Sequence, residues 1–132
     1  MEITITQKQA RVPVTVIHLK GDFDSYSAGN FDEEVLNAVQ SGTMDLLLDL
    51  SKVPFMSSAG IRSLTTLYNL LNPVKSDEEK HEISQGLRTG TYKAPHLKLL
   101  NPSDRVLQVM KMSGLDMYLD IFTKENKALA AF

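Results

Sequence analysis

The run Asp45-Leu46-Leu47-Leu48-Asp49-Leu50 constrains the fold of this chain more than any other stretch. Three consecutive leucines put apolar side chains on both sides of an extended backbone, because neighbouring side chains of a strand point in opposite directions. A strand of that kind needs cover on both faces, which is the situation of an inner strand in a parallel sheet. The sequence before it agrees. Ile3 and Ile5 alternate with polar residues as in a half-buried strand, and Val12, Val14, Val16, Ile17 and Leu19 describe a second, longer one. Gly21 ends it, and Asp22-Phe23-Asp24-Ser25 is a turn and helix-start cluster. Phe31, Val35, Ala38 and Val39 then recur at helical steps, with Gly42 in the usual closing position.

After the leucine run, Ser57-Ser58 precede Ile61, Leu64, Tyr68 and Leu71. This is a second amphipathic helix with serine at its start, stopped by Asn72-Pro73. Residues 74–95 are polar and show no periodicity, so an exposed insertion is expected between this helix and the next strand. Within it, Gly86-Leu87-Arg88-Thr89-Gly90-Thr91 lacks the Gly-Lys-Ser/Thr ending of a phosphate loop and reads as a flexible loop. Leu97, Leu99 and Leu100 form a further buried strand. Pro102-Ser103-Asp104 open a helix carrying Val106, Val109 and Met110 and ending at Gly114. Met117 to Phe122 reads as a short strand and Glu125 to Phe132 as a short helix. Met110, Met112 and Met117 are assigned to core filling.

Strand-strand-helix-strand-helix-strand-helix, with crossovers of helix length, predicts an α/β fold. The expectation is a single domain over residues 1–132, with a mostly parallel sheet of four to five strands flanked by helices. In such sheets functional groups gather in the loops beyond the C-terminal ends of the strands. Two of these loops are chemically rich, Gly21 to Ser27 and Ser51 to Gly60.

Several function classes are disfavoured. A net charge of −2 spread without a basic stripe gives no reason to bind nucleic acid directly. The absence of cysteine removes disulfides, thiolate metal sites and thiol catalysis, and fits a cytoplasmic protein. The acidic, alternating start is unlike a signal peptide, and the longest apolar run, Ala128 to Phe132, is far short of a bilayer span, so no membrane insertion is expected. His18, His81 and His96 lack metal-ligand spacing, and no Gly-x-Ser-x-Gly elbow supplies a nucleophile. No catalytic residue, metal or cofactor is therefore assigned, and the chain is read as a non-enzyme.

Ser57 and Ser58 remain. A helix N-cap accounts for one serine, through a side-chain oxygen that accepts a backbone N–H. The other reading is a phosphoacceptor: free N–H groups and the positive end of the helix dipole tolerate a phosphate there. Asp22 and Asp24 are ordinary turn formers and, equally, acidic groups beside the serine helix.

The assembled motifs resemble the STAS family, the sulfate-transporter and anti-sigma-factor-antagonist domain. Gly21-Asp22-Phe23-Asp24 is similar to its second-strand exit loop. Asp49-Leu50-Ser51-Lys52-Val53-Pro54-Phe55-Met56-Ser57-Ser58-Ala59-Gly60-Ile61 is similar to its signature strand, loop and helix start. Leu97 to Pro102, Ser103-Asp104-Arg105-Val106 and Ser113-Gly114-Leu115 resemble its closing strand and helix. The resemblance implies a partner-switching protein that binds a serine-kinase anti-sigma factor, is inactivated by phosphorylation of Ser58 (alternatively Ser57), and is restored by a serine phosphatase. Asp22, Asp24, Ser25, Tyr26, Ser57, Ser58, Ala59, Gly60 and Arg62 would face the partner. The family commonly has Asp before the phosphoserine, where this chain has Ser57. The alternative implied role is a constitutive transporter subunit, or a module sensing a nucleotide or small anion, with weak nucleotide binding at the same helix start.

Overall fold

A computed structural model describes all 132 residues. The chain forms β1 (Glu2–Gln9), β2 (Pro13–Lys20), α1 (Ala28–Gln40), β3 (Leu46–Lys52), α2 (Ser58–Leu71) and α3 (Asp77–Thr89). It continues through β4 (Leu97–Leu100), α4 (Asp104–Ser113), a 3-10 turn (Leu115–Met117), β5 (Asp120–Phe122) and α5 (Glu125–Ala130). The five strands lie side by side in chain order. β1 runs antiparallel to β2, and every other pairing is parallel.

The leucine run explains this sheet. Leu46, Leu47 and Leu48 are all fully buried at the centre of β3. Leu46 and Leu48 face the main core, with Ile17 and Leu19 of β2, Leu97 and Leu99 of β4, and Phe31, Leu64, Leu67 and Met110 from α1, α2 and α4. Leu47 turns the other way, with Val14, Val16 and Leu100 beneath Ala128 of α5. Burying one leucine side chain contributes roughly 1.5–3 kcal/mol, so both layers are needed for a stable central strand. Two helices deliver the same end of the sheet to solvent, because α1 follows β2 and α2 follows β3 after short loops.

Three expectations need correction. Residues 77–89 are a helix, where the sequence shows no periodicity and the Gly86–Gly90 stretch reads as a flexible loop. The helix comes from its ends: Ser76 Oγ accepts the Glu79 N–H, Asp77, Glu78 and Glu79 occupy the first turn, and Gly90 closes it at a φ of 74°. It buries none of its residues, which is why no apolar stripe marks it. The last strand begins only at Asp120, since Leu115–Met117 turn in a 3-10 helix after Gly114. Of the three methionines assigned to the core, Met110 is buried, but Met112 and Met117 are 82% and 57% exposed. Both lie on the solvent side of the segment that Met110 anchors.

Candidate functional site

The two loops singled out in the sequence meet. Phe23 and Met56 form a parallel bridge beyond the ends of β2 and β3. Phe23 N–H donates to Phe55 O at 2.9 Å, and Phe23 O accepts from Ser57 N–H at 2.9 Å. Gly21 N–H donates to Lys52 O at 3.0 Å, so the junction is held at both ends. Phe23 itself is fully buried and tilts against Phe31 at a ring separation of 4.7 Å. An apolar residue between two aspartates was the sequence signal for this anchor.

Gly60 makes the approach of α2 possible. A Cβ at this position would lie 2.8 Å from Phe23 O and 2.9 Å from Met56 Cγ, both closer than packed atoms come. The first turn of α2 therefore lies directly on the Phe23 loop.

At the helix start the two serines divide the work. Ser57 is the N-cap, with an extended backbone, and its Oγ accepts from Ala59 N–H at 3.2 Å. Ser57 O accepts from Ile61 N–H, the first helical bond. Ser58, one residue inside, is exposed and its hydroxyl makes no hydrogen bond within the chain. The N–H groups of Ser58 and Gly60 also lack an acceptor. Arg62 is exposed one turn further along α2, at the i+4 spacing that brings side chains together on a helix.

The neighbouring loop is arranged by Asp24, whose Oδ1 accepts from the N–H groups of Tyr26 and Ser27 at 3.0 and 3.2 Å. Ser27 Oγ donates to Asp22 O at 2.8 Å and accepts from Asp24 N–H at 3.0 Å. These bonds use Asp24 as a turn former. They leave Asp22, Ser25 and Tyr26 on the surface, Tyr26 being 96% exposed. One pairing escaped the sequence reading. Arg105, at the start of α4, places its guanidinium 5.5 Å from the centre of the Phe55 ring, a contact no local pattern announces.

The remaining polar clusters serve the sheet. His18 Nδ1 pairs with Asp49 Oδ2 at 2.8 Å, and Thr6 Oγ1 sits 3.3 Å from His18 Nε2. This order of groups resembles a nucleophile, base and acid. It lines neither of the two cavities that meet at the α1–β3 loop. Burial pushes the Asp49 carboxyl up, but Ser51 N–H at 3.0 Å and His18 outweigh it and hold the group below its usual 3.8. His96 Nδ1 pairs with Asp45 Oδ1 at 2.8 Å at the other end of β3. No group of three His, Asp or Glu side chains converges as metal ligands would, and no helix is long and apolar enough to cross a membrane.

The sequence pattern of the STAS domain matches residues 5–76. No curated protein matches the chain significantly. Among solved structures, an anti-sigma factor antagonist from Mycobacterium paratuberculosis superposes with a TM-score of 0.70 at 19% identity, covering 98% of this chain and 93% of its own. The Bacillus cell fate determinant SpoIIAA, in its phosphorylated form, gives 0.61 at 20% identity, with 96% of each chain covered. The STAS domain of a SulP transporter from Vibrio cholerae gives 0.53 at 23% identity, covering 89% of this chain and 77% of that one. At these identities the likeness is one of fold.

Proposed function

This chain belongs to the STAS family, and from that premise we propose that it is an anti-sigma factor antagonist, a non-enzymatic partner switch controlled by phosphorylation of Ser58. The observation that carries this reading is the division between the serines. Ser57 is occupied in capping α2, whereas Ser58 offers a free, exposed hydroxyl at a helix start with two unpaired N–H groups. The cap also accounts for the departure from the family pattern, because Ser and Asp are both good N-caps.

The docking surface comprises the α2 start and the loop beside it, with Asp22, Asp24, Ser25, Tyr26, Ser57 and Arg62 around Ser58; Ala59 and Gly60, expected to face the partner, are instead buried against the Phe23 loop and position the helix. Its partner is a serine-kinase anti-sigma factor, and a serine phosphatase reverses the modification. Phosphate adds about −1.5 to −2 charges. The helix dipole and free N–H groups accommodate that charge in the folded chain. A partner pressed against it must desolvate it, and a penalty of ~3–4 kcal/mol weakens binding several-hundredfold. The fold is kept while the contact is lost.

The test is phosphopeptide mass spectrometry of the protein from its native cells, followed by binding of wild type and Ser58→Asp to the candidate kinase. Phosphate on Ser58 and a large loss of affinity in the variant are expected. A Ser58→Asp protein that binds as tightly as wild type would sink the mechanism.

The likeness to a transporter STAS domain supports a second reading, a constitutive subunit or a sensor of a nucleotide or small anion held by the same N–H groups. Thermal shift with nucleotides and inorganic anions separates the two, since only the sensor gains stability from millimolar ligand.

A further inference from the structure

At the pole opposite Ser58 the molecule carries a trough with no part in that switch. Two cavities of about 710 and 700 Å³ adjoin, sharing Thr43 and Met44 in the α1–β3 loop. The first opens between the C-terminal end of α2 and α3, and the second runs under α1 toward β1. Each falls within the usual size of a ligand pocket.

α3 forms one wall without closing the trough. It begins one residue past the matched family pattern and buries no residue. It is pinned at its C-terminal end, where Tyr92 N–H donates to Gly86 O at 3.1 Å and a Cβ on Gly86 would come within 2.7 Å of Tyr92 Cβ. Tyr92 OH in turn meets Tyr68 OH of α2 at 2.7 Å. The wall is thus attached at one end while its inner side stays open.

The lining mixes exposed apolar side chains with carboxylates. Met44 is 70% exposed and Leu70 39% exposed, and Ile83 of α3 is half-buried on the opposite side. Four carboxylates, Glu34, Asp45, Glu79 and Glu82, line the two cavities against a single Lys75. Asp45 is satisfied by His96, and Glu79 by Lys75 N–H. Glu34 and Glu82 pair with no cation. Exposed apolar surface beside two carboxylates that pair with no cation favours an occupant that is apolar on one side and cationic on the other.

We propose that this trough is a second docking surface, which takes a basic amphipathic segment of a partner protein. A helix laid in the groove would anchor apolar side chains on Met44, Leu70 and Ile83 and set lysines or arginines against Glu34 and Glu82. Because it lies at the far end of α1 and α2 from Ser58, occupancy here is independent of the switch. The protein then holds one partner conditionally and another permanently.

The test uses the full chain and a fluorescein-labelled 14-residue peptide with leucine at helical spacing and lysine elsewhere. A second peptide replaces every lysine by glutamate. Anisotropy is read at low and high salt. The basic peptide is expected to bind with a salt-dependent affinity, and the acidic one at least tenfold more weakly. Met44→Lys with Glu82→Lys, both exposed positions, should lower the affinity for the basic peptide at least tenfold without moving the thermal midpoint. Ser58→Asp should leave it unchanged. Equal binding of both peptides, no binding of either, or binding indifferent to the double substitution overturns the proposal. So does a dimer in sedimentation that the double substitution breaks, because the trough would then be occupied by a second copy.

Discussion

Ser57 and Ser58 are chemically identical and positionally distinct, and the difference is measurable. Ser57→Ala removes the bond to Ala59 N–H and should cost about 1 kcal/mol of stability in urea denaturation. Ser58→Ala removes no intramolecular bond and should stay within about 0.5 kcal/mol of wild type. Similar losses in both variants would contradict the assigned cap. Asp49 gives a second residue-scale prediction. Its carboxyl is held below 3.8, so its stabilising effect is present above that value and is lost as pH falls through the lowered one. Asp49→Asn should therefore lose roughly 1–3 kcal/mol at neutral pH. That gap should narrow toward pH 3, when denaturation curves for the two proteins are compared. A gap independent of pH would assign the loss to packing.

Elements were legible in the sequence where burial wrote a pattern. The leucine run of β3, the valines of β2 and the apolar faces of α1, α2 and α4 all state which side meets the core, and each formed as expected. The junction around Phe23 was legible in part, as two polar loops beyond neighbouring strands. Its Phe55–Arg105 contact was not, because it joins residues fifty positions apart in the chain. α3 left no periodic trace for the same physical reason that makes it distinctive: with nothing buried, its face is free to be polar. A helix held by its cap, its first-turn carboxylates and one close contact opens easily. Hydrogen exchange should show α3 amides exchanging much faster than those of α2, whose Leu64 and Leu67 are fully buried. Equal protection would mean that the wall of the trough is part of the rigid body.

The whole molecule is a sheet covered unequally. Three helices and twenty buried side chains fill one face. The other face has a cluster of five, roofed by α5, with Lys98 almost buried beside Asp120 and the Phe132 ring. α5 is six residues long, yet it is the one helix that contributes a buried residue to the cluster around Leu47. A carboxylate placed at Ala128 loses its water among Val14, Val16, Leu47 and Leu100. Ala128→Asp should cost roughly 3 kcal/mol or more, far beyond an ordinary surface change. The check is the thermal midpoint; a shift of only a degree or two would show that α5 lifts off readily. The Ser58 surface should be unaffected, since it lies across the sheet from α5.

Strand order has a further consequence, one of timing. Because β1 to β5 pair strictly in chain order, each strand leaving the ribosome finds its neighbour already made, and none must wait for a later one. The longest pause is between β3 and β4, from Lys52 to Leu97. At ~5–20 residues per second the pause lasts roughly 2–9 s. Over that interval α1 and α2 are already available to shelter one side of Leu46 and Leu48, while Leu47 stays bare until residues 125–130 emerge. Val14, Val16 and Leu47, all fully buried in the finished sheet, are thus the side chains left bare longest as the chain is made.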